Sequence, residues 1–292
     1  MARIVVLGAG GRLGAALARD YAAQHEVLAW GRQQADLADP DRVADAVRKA
    51  KPDVVINSAA MTNVDECEKE RAKSELVNAT APGIIAKAAT DVGARFIHIS
   101  TDYVFSGDKK TPYAEEDEPA PVSWYGETKL AGERAVTGAD SRHAAVRVSW
   151  VFGPDRDSFV DKALQTAMRG ETVRAVADKW SSPSYTADIG SALRALMNSA
   201  APGGVYHVCN AGVCTWLDWA AEAVAVAESA GILHPGHKVE ALCLADISAM
   251  VARRPVHSSM SCRRIEALLG RPMRPWQNAV ADYVRTRYGG RK

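Results

Sequence analysis

The sequence lacks a strong net charge, a long apolar run and any close pair of cysteines. Its 36 lysines and arginines almost balance 35 aspartates and glutamates, and the net charge of +1 provides no field for nucleic acid or an anionic membrane surface. No apolar stretch is long enough to span a bilayer. The five cysteines form no C-x-x-C pair and show no metal-ligand spacing with the histidines. We therefore expect reduced thiols, no bound metal, and no nucleic-acid or membrane partner.

The rest of the composition is ordinary, since 47% hydrophobic and 24% charged residues are typical of a globular protein. A chain of 292 residues can build a large core, as one big domain or as two unequal ones. Its first residues run directly into a strand-like segment and leave no room for a signal peptide. We expect a cytoplasmic protein.

A glycine-rich turn follows the first apolar run. Residues 4–7 are typical of a buried parallel strand, residues 8–14 have the spacing G-x-x-G-x-x-G, and residues 13–21 show helical periodicity. Glycines at such a turn let backbone N–H groups approach a pyrophosphate at the helix N-terminus. The order of strand, glycines and helix favours a dinucleotide site over a plain turn. The residues assigned to the cofactor here are Gly8, Gly11, Arg12, Leu13 and Gly14.

Strand-like and helical segments alternate through the first half of the chain. Further strands are predicted over 27–30, 53–57, 95–100 and 144–148. This alternation predicts an α/β fold, a doubly wound parallel sheet of the Rossmann type. After Trp150 the strands become short and separated, as at 205–208 and 239–242. We predict a dinucleotide-binding domain over 1–150 and a smaller mixed α/β substrate lobe over 151–292, with part of 176–200 returning to the first domain.

The end of the second strand carries no acid. NAD-specific enzymes of this fold usually place a carboxylate there, on the ribose 2′-hydroxyl. Here the strand ends in Trp30-Gly31-Arg32. An arginine can bind a 2′-phosphate through two parallel N–H bonds. We predict that Arg32 makes NADPH the preferred cofactor over NADH, and that Asp36 and Leu37 meet the adenine.

Tyr125 and Lys129 are four residues apart at the start of a predicted helix, so they share one face. An ammonium close to a phenol lowers the pKa of that phenol, and such a pair suits a carbonyl/alcohol interconversion. The spacing alone is weak evidence, because it also occurs on solvated helix faces. The segment at Ser100-Thr101 ends a predicted strand, and ligands bind beyond the carboxyl ends of such strands. A hydroxyl there could bond the substrate oxygen or orient the phenol, or it could simply cap a turn.

Four stretches carry a resemblance to a known family. They are 57–65 (NSAAMTNVD), 100–107 (STDYVFSG), 125–133 (YGETKLAGE) and 147–153 (RVSWVFG). Together with the glycine turn they resemble the dTDP-4-dehydrorhamnose reductase family, within the extended short-chain dehydrogenase/reductase superfamily. Looser matches in the C-terminal half, such as Arg254-Pro255, extend the resemblance over almost the whole chain.

The resemblance implies NAD(P)H-dependent reduction of the C4 keto group of a nucleotide-linked 4-keto-6-deoxysugar, above all dTDP-4-dehydro-L-rhamnose. It implies that Tyr125 donates the proton, that Lys129 holds the nicotinamide ribose and lowers the pKa of Tyr125, and that Thr101 hydrogen-bonds the same oxygen or the phenol. Further cofactor contacts are assigned to Ala59, Ala60 and Thr62. Substrate contacts are assigned to Asp102, Tyr103 and Trp150, although simple packing accounts for Trp150 nearly as well. A homodimer is an open expectation.

Several positions depart from the family pattern. Ala15-Ala16 occupies the place of a magnesium-binding glutamate found in some members, so no such metal is expected. Residues 178–183 read DKWSSP instead of the more usual D-Q-x-G-x-P, and His257 replaces an asparagine. We expect residues 178–183 to face the substrate, so the sugar or its nucleotide could differ from the family type.

Two other functions remain open. One is a non-catalytic, dinucleotide-binding regulatory subunit that resembles the β subunit of methionine adenosyltransferase. The other is a sugar-nucleotide epimerase or dehydratase of the same fold. The dehydratase is disfavoured because Tyr103 stands where those enzymes carry an acid.

Overall fold

The computed structural model describes residues 1–247 and 250–290. Its largest feature is a sheet of six parallel strands. Along the chain the strands are β1 Arg3–Leu7, β2 Glu26–Trp30, β3 Val54–Asn57, β4 Arg95–Thr101, β5 Ala144–Val148, β6 Val151–Phe152, β7 Val173–Val176, β8 Trp180–Ser181, β9 Ser184–Tyr185, β10 Gly204–His207, β11 Cys214–Thr215 and β12 Val239–Leu242. The six-stranded sheet has the order β10-β5-β4-β3-β1-β2.

Helices cover both faces of this sheet. Along the chain the helices of the structure, including those that pack elsewhere, are α1 Arg12–Tyr21, α2 Pro40–Ala50, α3 Val64–Lys69, α4 Arg71–Glu75, α5 Ala81–Asp91, α6 Trp124–Ala139, α7 Phe159–Met168, α8 Thr186–Asn198, α9 Trp216–Ser229, α10 Arg263–Leu269 and α11 Trp276–Tyr288. No helix within residues 1–247 and 250–290 is long and apolar enough to cross a membrane.

Alternate residues of β1 point to opposite faces of the sheet, as the two-residue period of a strand requires. Ile4 and Val6 join a buried cluster with α1 and α8. Val5 and Leu7 join another with α2 and α5. The unbroken apolar run of β1 is therefore buried on both sides, and the predicted doubly wound α/β fold is confirmed.

The helical stretch after β3 is interrupted. Helical periodicity from near Cys67 through Asn78 towards Gly93 predicts one helix, with a break or kink at Pro82. The structure instead has α3, α4 and a π-helical turn Leu76–Thr80 before α5. Pro82 is the second residue of α5, which follows the π-helical turn directly. The irregularity therefore precedes the proline, and it carries Asn78 towards the segment after β3.

A second group of elements packs around its own core, which contains residues of α7, α9 and α11. Short strand pairs border it: β6 with β9, β8 with β11, and β7 with β12. This is the mixed α/β character predicted for the C-terminal half.

One strand predicted for the smaller lobe belongs elsewhere. The predicted strand at 205–208 is β10, and it pairs with β5 as an edge of the central sheet. It is preceded by α8, whose residues Ile189 and Leu193 pack in the cluster that contains Ile4. The periodicity of so short a strand could not show its partner. The division of the chain at residue 150 stays a prediction.

Candidate active site

The glycine turn lies where the strand order reverses. β1 has β2 on one side and β3 on the other, and open α/β sheets bind ligands at such a reversal. Gly8 has φ +78°, and a Cβ built on it would lie 2.7 Å from the backbone nitrogen of Ala59. A Cβ on Gly14 would lie 2.2 Å from the carbonyl oxygen of Gly8. Both positions require glycine, and the turns after β1 and β3 form one close-packed cradle.

The first turn of α1 faces this cradle without a side-chain cap. Gly11 precedes the helix and supplies no capping group, so the first N–H groups have no intrahelical partner and suit a phosphate. The guanidinium of Arg12 donates to three backbone carbonyls within residues 151–157. Leu13 is part of the core. The turn fits a dinucleotide, whereas the observed contacts of Arg12 and Leu13 are with protein, and their cofactor role stays a prediction.

The carboxyl end of β2 meets the same turn. The N–H groups of Gly8 and Ala9 donate to the carbonyl oxygen of Trp30 at 2.9 and 3.1 Å. Arg32, two residues on, is exposed, and within residues 1–247 and 250–290 no carboxylate forms an ion pair with it. The exposed Asp36 accepts from the N–H of Ala38, and Leu37 is buried. The guanidinium of Arg32 is thus free to bind a ligand at the glycine turn.

The segment after β3 is held by side-chain amides. Asn57 Oδ1 accepts from the N–H of Ala59 at 3.0 Å. Asn78 accepts from the N–H of Met61 and donates to its carbonyl oxygen, at 2.9 and 3.0 Å. These bonds fix the backbone that includes Ala60, and the exposed Thr62 follows it.

Helix α6 approaches the end of β4 closely. Ser123 caps its N-terminus by accepting from the N–H of Gly126 at 3.3 Å. A Cβ on Gly126 would lie 2.2 Å from the carbonyl oxygen of Tyr103, so only glycine permits this approach. The rings of Tyr103 and Tyr125 consequently meet edge to face, with centroids 5.5 Å apart. The structure therefore brings the predicted proton donor beside a predicted substrate residue.

Tyr125 is buried, and this burial raises the pKa of its phenol, while a hydrogen bond with Thr101 acts in the opposite direction. The sequence predicted that Lys129 lowers this pKa. In the structure, Lys129 Nζ donates to the carbonyl oxygen of Ile99 at 2.7 Å and lies 3.0 Å from His98 Nε2. Burial is the largest effect on the pKa of Tyr125, and the lowering of that pKa by Lys129 stays a prediction.

Asp102 is 2% exposed and accepts hydrogen bonds from hydroxyls of four separate residues. They are Thr101 at 3.1 Å on Oδ1, and Ser149 at 2.9 Å, Ser181 at 3.1 Å and Ser258 at 2.5 Å on Oδ2. The sequence assigned Asp102 to the substrate. The structure instead surrounds its carboxylate with protein hydroxyls, so it joins β4, β5, β8 and the 258 segment and positions Thr101.

Trp150 and Lys179 form the other wall of the site. Trp150 has φ +42°, a strained conformation for a bulky residue, and its indole Nε1 is buried with no hydrogen-bond partner in the described part of the chain. Lys179 is fully buried, and its Nζ donates to the carbonyl oxygen of Pro255 at 2.6 Å. This ammonium lies 5.1 Å from the ring centroid of Tyr103 and 5.8 Å from that of Trp150. Burial lowers the pKa of Lys179 to about 8.

A cleft of about 640 Å³ adjoins this wall, and Trp180 and Arg254 are among the residues that line it. Trp180 stacks on His257 with centroids 4.3 Å apart. Arg254 pairs with Asp65 at 2.7 Å, and this hydrogen-bonded ion pair lowers the pKa of Asp65 to about 2. The C-terminal lobe is thereby tied to the helix that follows β3, next to the proposed cofactor cradle.

Sequence reasoning missed three features of this site: the contact of His98 with Lys129, the burial of Lys179, and the serines around Asp102. His98 lies within an apolar strand, where a single histidine is typical of a core residue. Lys179 was noted only as a departure from the family pattern. The serines come from distant segments, so no local pattern could connect them.

Comparison with known proteins identifies the family. A sequence model of the RmlD substrate binding domain matches residues 2–288. The dTDP-4-dehydrorhamnose reductase of Mycolicibacterium smegmatis is 41% identical over 97% of this chain and 85% of its own length. The spore coat polysaccharide biosynthesis protein SpsK of Bacillus subtilis is 36% identical over 98% of both chains.

Solved structures agree. A crystal structure of dTDP-4-dehydrorhamnose reductase from Bacillus anthracis in complex with NADP superposes with a TM-score of 0.88, at 30% identity over 97% of both chains. Fold and site together define an oxidoreductase of the Rossmann type that uses a dinucleotide. The chain belongs to the RmlD substrate binding domain family, and the predicted resemblance is confirmed.

Proposed function

We propose that this protein reduces the C4 keto group of dTDP-4-dehydro-L-rhamnose to give dTDP-L-rhamnose. The observation that carries the proposal is the placement of Thr101, Tyr125 and Lys129 beside the glycine cradle, in a chain of this family. A nicotinamide dinucleotide, when bound, supplies the hydride. The cradle fits such a group, since added Cβ atoms at Gly8 and Gly14 would collide with neighbouring backbone.

The residues of the chain then handle the proton and the positioning. The phenol of Tyr125 protonates the C4 oxygen, and burial keeps that proton on the phenol until the oxygen becomes basic. Thr101, held by Asp102, orients the phenol. Lys129 binds the nicotinamide ribose after it leaves the carbonyl of Ile99. Tyr103 and Trp150 contact the sugar.

Arg32 supports a preference for NADPH. Its exposed guanidinium has no carboxylate partner in the described residues, and β2 does not end in an acid that could hold a ribose 2′-hydroxyl. A 2′-phosphate would find two parallel N–H donors there. Gly8, Gly11, Gly14, Ala59 and Ala60 are proposed to contact the rest of the dinucleotide.

The balanced charge supports a cytoplasmic enzyme that acts on a nucleotide sugar without a nucleic-acid or membrane partner. A homodimer is part of the proposal only through the resemblance. The dehydratase alternative is disfavoured because a tyrosine, Tyr103, packs against Tyr125 where those enzymes need an acid.

The direct test measures NADPH oxidation by the purified protein with dTDP-4-dehydro-L-rhamnose, beside a panel of other 4-keto sugar nucleotides. We expect the highest kcat/KM with the rhamnose precursor. Turnover with another panel member alone would reassign the sugar. No turnover with any member, together with tight NADPH binding, would favour the regulatory subunit.

A further inference from the structure

The described chain contains three fully buried histidines, His98, His143 and His207, and two of them have tautomers fixed by the backbone. His143 Nδ1 accepts from the N–H of Phe96 at 3.1 Å, so its proton is on Nε2. His207 Nδ1 lies 3.1 Å from the carbonyl oxygen of Ser261 and must donate to it, so its proton is on Nδ1. The protein therefore provides one reference for each tautomer.

The tautomer of His98 follows from the amide of Asn57. Asn57 Oδ1 accepts from the N–H of Ala59 at 3.0 Å, which fixes the orientation of the amide. The NH₂ group of Asn57 then lies 3.1 Å from His98 Nδ1 and must donate to it. Because Nδ1 is an acceptor, the proton of neutral His98 is on Nε2.

This tautomer constrains the charge of Lys129. His98 Nε2 lies 3.0 Å from Lys129 Nζ, and an Nε2–H group needs an acceptor. An ammonium has three donors and no acceptor, whereas a neutral amine has a lone pair. The neutral amine also keeps an N–H for the carbonyl oxygen of Ile99, at 2.7 Å. Four hydrogen bonds thus connect Ala59, Asn57, His98, Lys129 and Ile99 in series, and only a neutral Lys129 allows all four to form.

We propose that His98 is a positioning residue that, through Asn57, holds Lys129 as a neutral amine, and that Lys129 gains its proton only together with a tautomer change of His98. The proton would force His98 to accept at Nε2, to carry its own proton on Nδ1 and to lose the bond from Asn57. A dinucleotide, with its negative phosphates, favours the ammonium, so its binding takes up this proton. That last step rests on the proposed cofactor role of Lys129.

The charged and titratable groups around Lys129 indicate that His98 changes its tautomer and remains neutral. These groups are Glu133 from the helix of Lys129, Cys67 from α3, and His98 from β4. Glu133 is itself paired with Arg147 from β5 at 2.7 Å. Burial lowers the pKa of Lys129 to about 8, partly offset by Glu133. Burial, with a smaller effect of Lys129, lowers the pKa of His98 well below its ordinary value, so the imidazole stays neutral.

The first test measures the tautomers by ¹⁵N NMR of the histidine rings in the full-length protein without cofactor. His98 is assigned by the signal lost in His98→Gln. At about pH 9.5, above the pKa of Lys129, we expect His98 to match His143 as the Nε2–H form. At about pH 6.5 it should match His207 as the Nδ1–H form. The Nδ1–H form at the higher pH, or one unchanged tautomer at both, overturns the proposal.

Asn57→Asp reverses the direction of the hydrogen bond between residue 57 and His98 Nδ1. A carboxylate can only accept, so His98 should donate from Nδ1 at both pH values, and Lys129 should keep its proton. Asn78→Asp is the matched control, since Asn78 is also a buried amide near the site but does not touch His98. It should retain the wild-type tautomer change. A wild-type pattern in Asn57→Asp contradicts the proposal, and the wild-type spectra decide independently of whether either variant folds.

The second test is calorimetric titration with NADPH at about pH 9.5, in buffers of different ionisation enthalpy. Wild type should take up about one proton per NADPH bound, and Asn57→Asp should take up distinctly fewer. No uptake by wild type overturns the coupling to cofactor binding. Neither readout requires turnover, so a failed ketoreductase assay leaves the histidine result intact, and a failed tautomer prediction leaves the proposed function intact.

Discussion

The ammonium of Lys179 lies 5.1 Å from the centre of the Tyr103 ring and donates to the carbonyl of Pro255. It thereby joins the turn after β4 to the C-terminal lobe, beneath the proposed sugar site. A desolvated cation over an aromatic face contributes up to about 2 kcal/mol. The family pattern to which residues 178–183 were compared has a glutamine at this position.

We predict that Lys179→Met raises the KM for the nucleotide sugar by roughly five- to thirtyfold. The reason is that Tyr103 and Trp150 lose the cation near their rings, and the carbonyl of Pro255 loses its hydrogen-bond donor. The dissociation constant for NADPH should stay near wild type. Lys179→Gln is the matched control, since its amide can still donate to Pro255, and its KM should change less. Equal KM values for wild type and the methionine variant would exclude this role.

The same lysine makes stability depend on pH. Burial lowers its pKa to about 8 in the folded protein, with Asp102 raising it and Arg254 lowering it further. Between that value and the ordinary pKa of about 10.4, the unfolded chain binds more protons, so wild type gains stability as pH rises. Methionine has no proton to lose. The free energy of unfolding of Lys179→Met minus that of wild type should therefore fall by up to about 3 kcal/mol from pH 8 to about 10.5.

Urea unfolding of both proteins at several pH values measures this difference. Only the difference is informative, because other buried groups titrate in both proteins alike. A difference that does not change with pH would mean that Lys179 is not desolvated.

Much of the fold was predictable because its signals are local. The apolar run of β1 and the glycines after it lie within the first fourteen residues, and this short segment was enough to locate both correctly. β10 was assigned to the wrong part of the fold, because its pairing with β5 depends on a residue separation of about sixty that periodicity does not encode. Long-range placement, rather than element type, limited the prediction.

The site shows the same division. The spacing of Tyr125 and Lys129 was visible in the sequence, and the structure brings both beside β4. The direction of Lys129 was not visible, since it depends on the carbonyl of Ile99 and the ring of His98. The hydroxyl partners of Asp102 were likewise not visible, because they come from three distant segments and one neighbour.

Cofactor preference can be tested at Arg32. We predict that wild type has a higher kcat/KM with NADPH than with NADH, and that Arg32→Ala reduces this ratio. A charged phosphate contact is worth about 1.5–3 kcal/mol, or about ten- to a hundredfold. Arg42→Ala, on the exposed surface of α2, serves as a control for lost surface charge. A ratio that the Arg32 substitution leaves unmoved would refute the assignment.

Metal removal should have no effect on turnover. Within residues 1–247 and 250–290, no group of three or more histidine, cysteine, aspartate or glutamate side chains is arranged to hold a metal ion. The resemblance implies, in addition, that Ala15-Ala16 stands where some family members have a magnesium-binding glutamate. We expect the same kcat before and after dialysis against EDTA. Activity lost in EDTA and restored by magnesium would contradict this prediction.

In the proposed reaction Tyr125 supplies the proton to the C4 oxygen. The decisive measurement is the turnover of Tyr125→Phe with NADPH and dTDP-4-dehydro-L-rhamnose, with NADPH binding measured on the same preparation. Only the phenol hydroxyl is removed, and general acid catalysis is worth about 100- to 10 000-fold. We expect Tyr125→Phe to lose kcat by a factor in that range and to keep an NADPH dissociation constant near that of wild type. Near-normal turnover by the variant would contradict it.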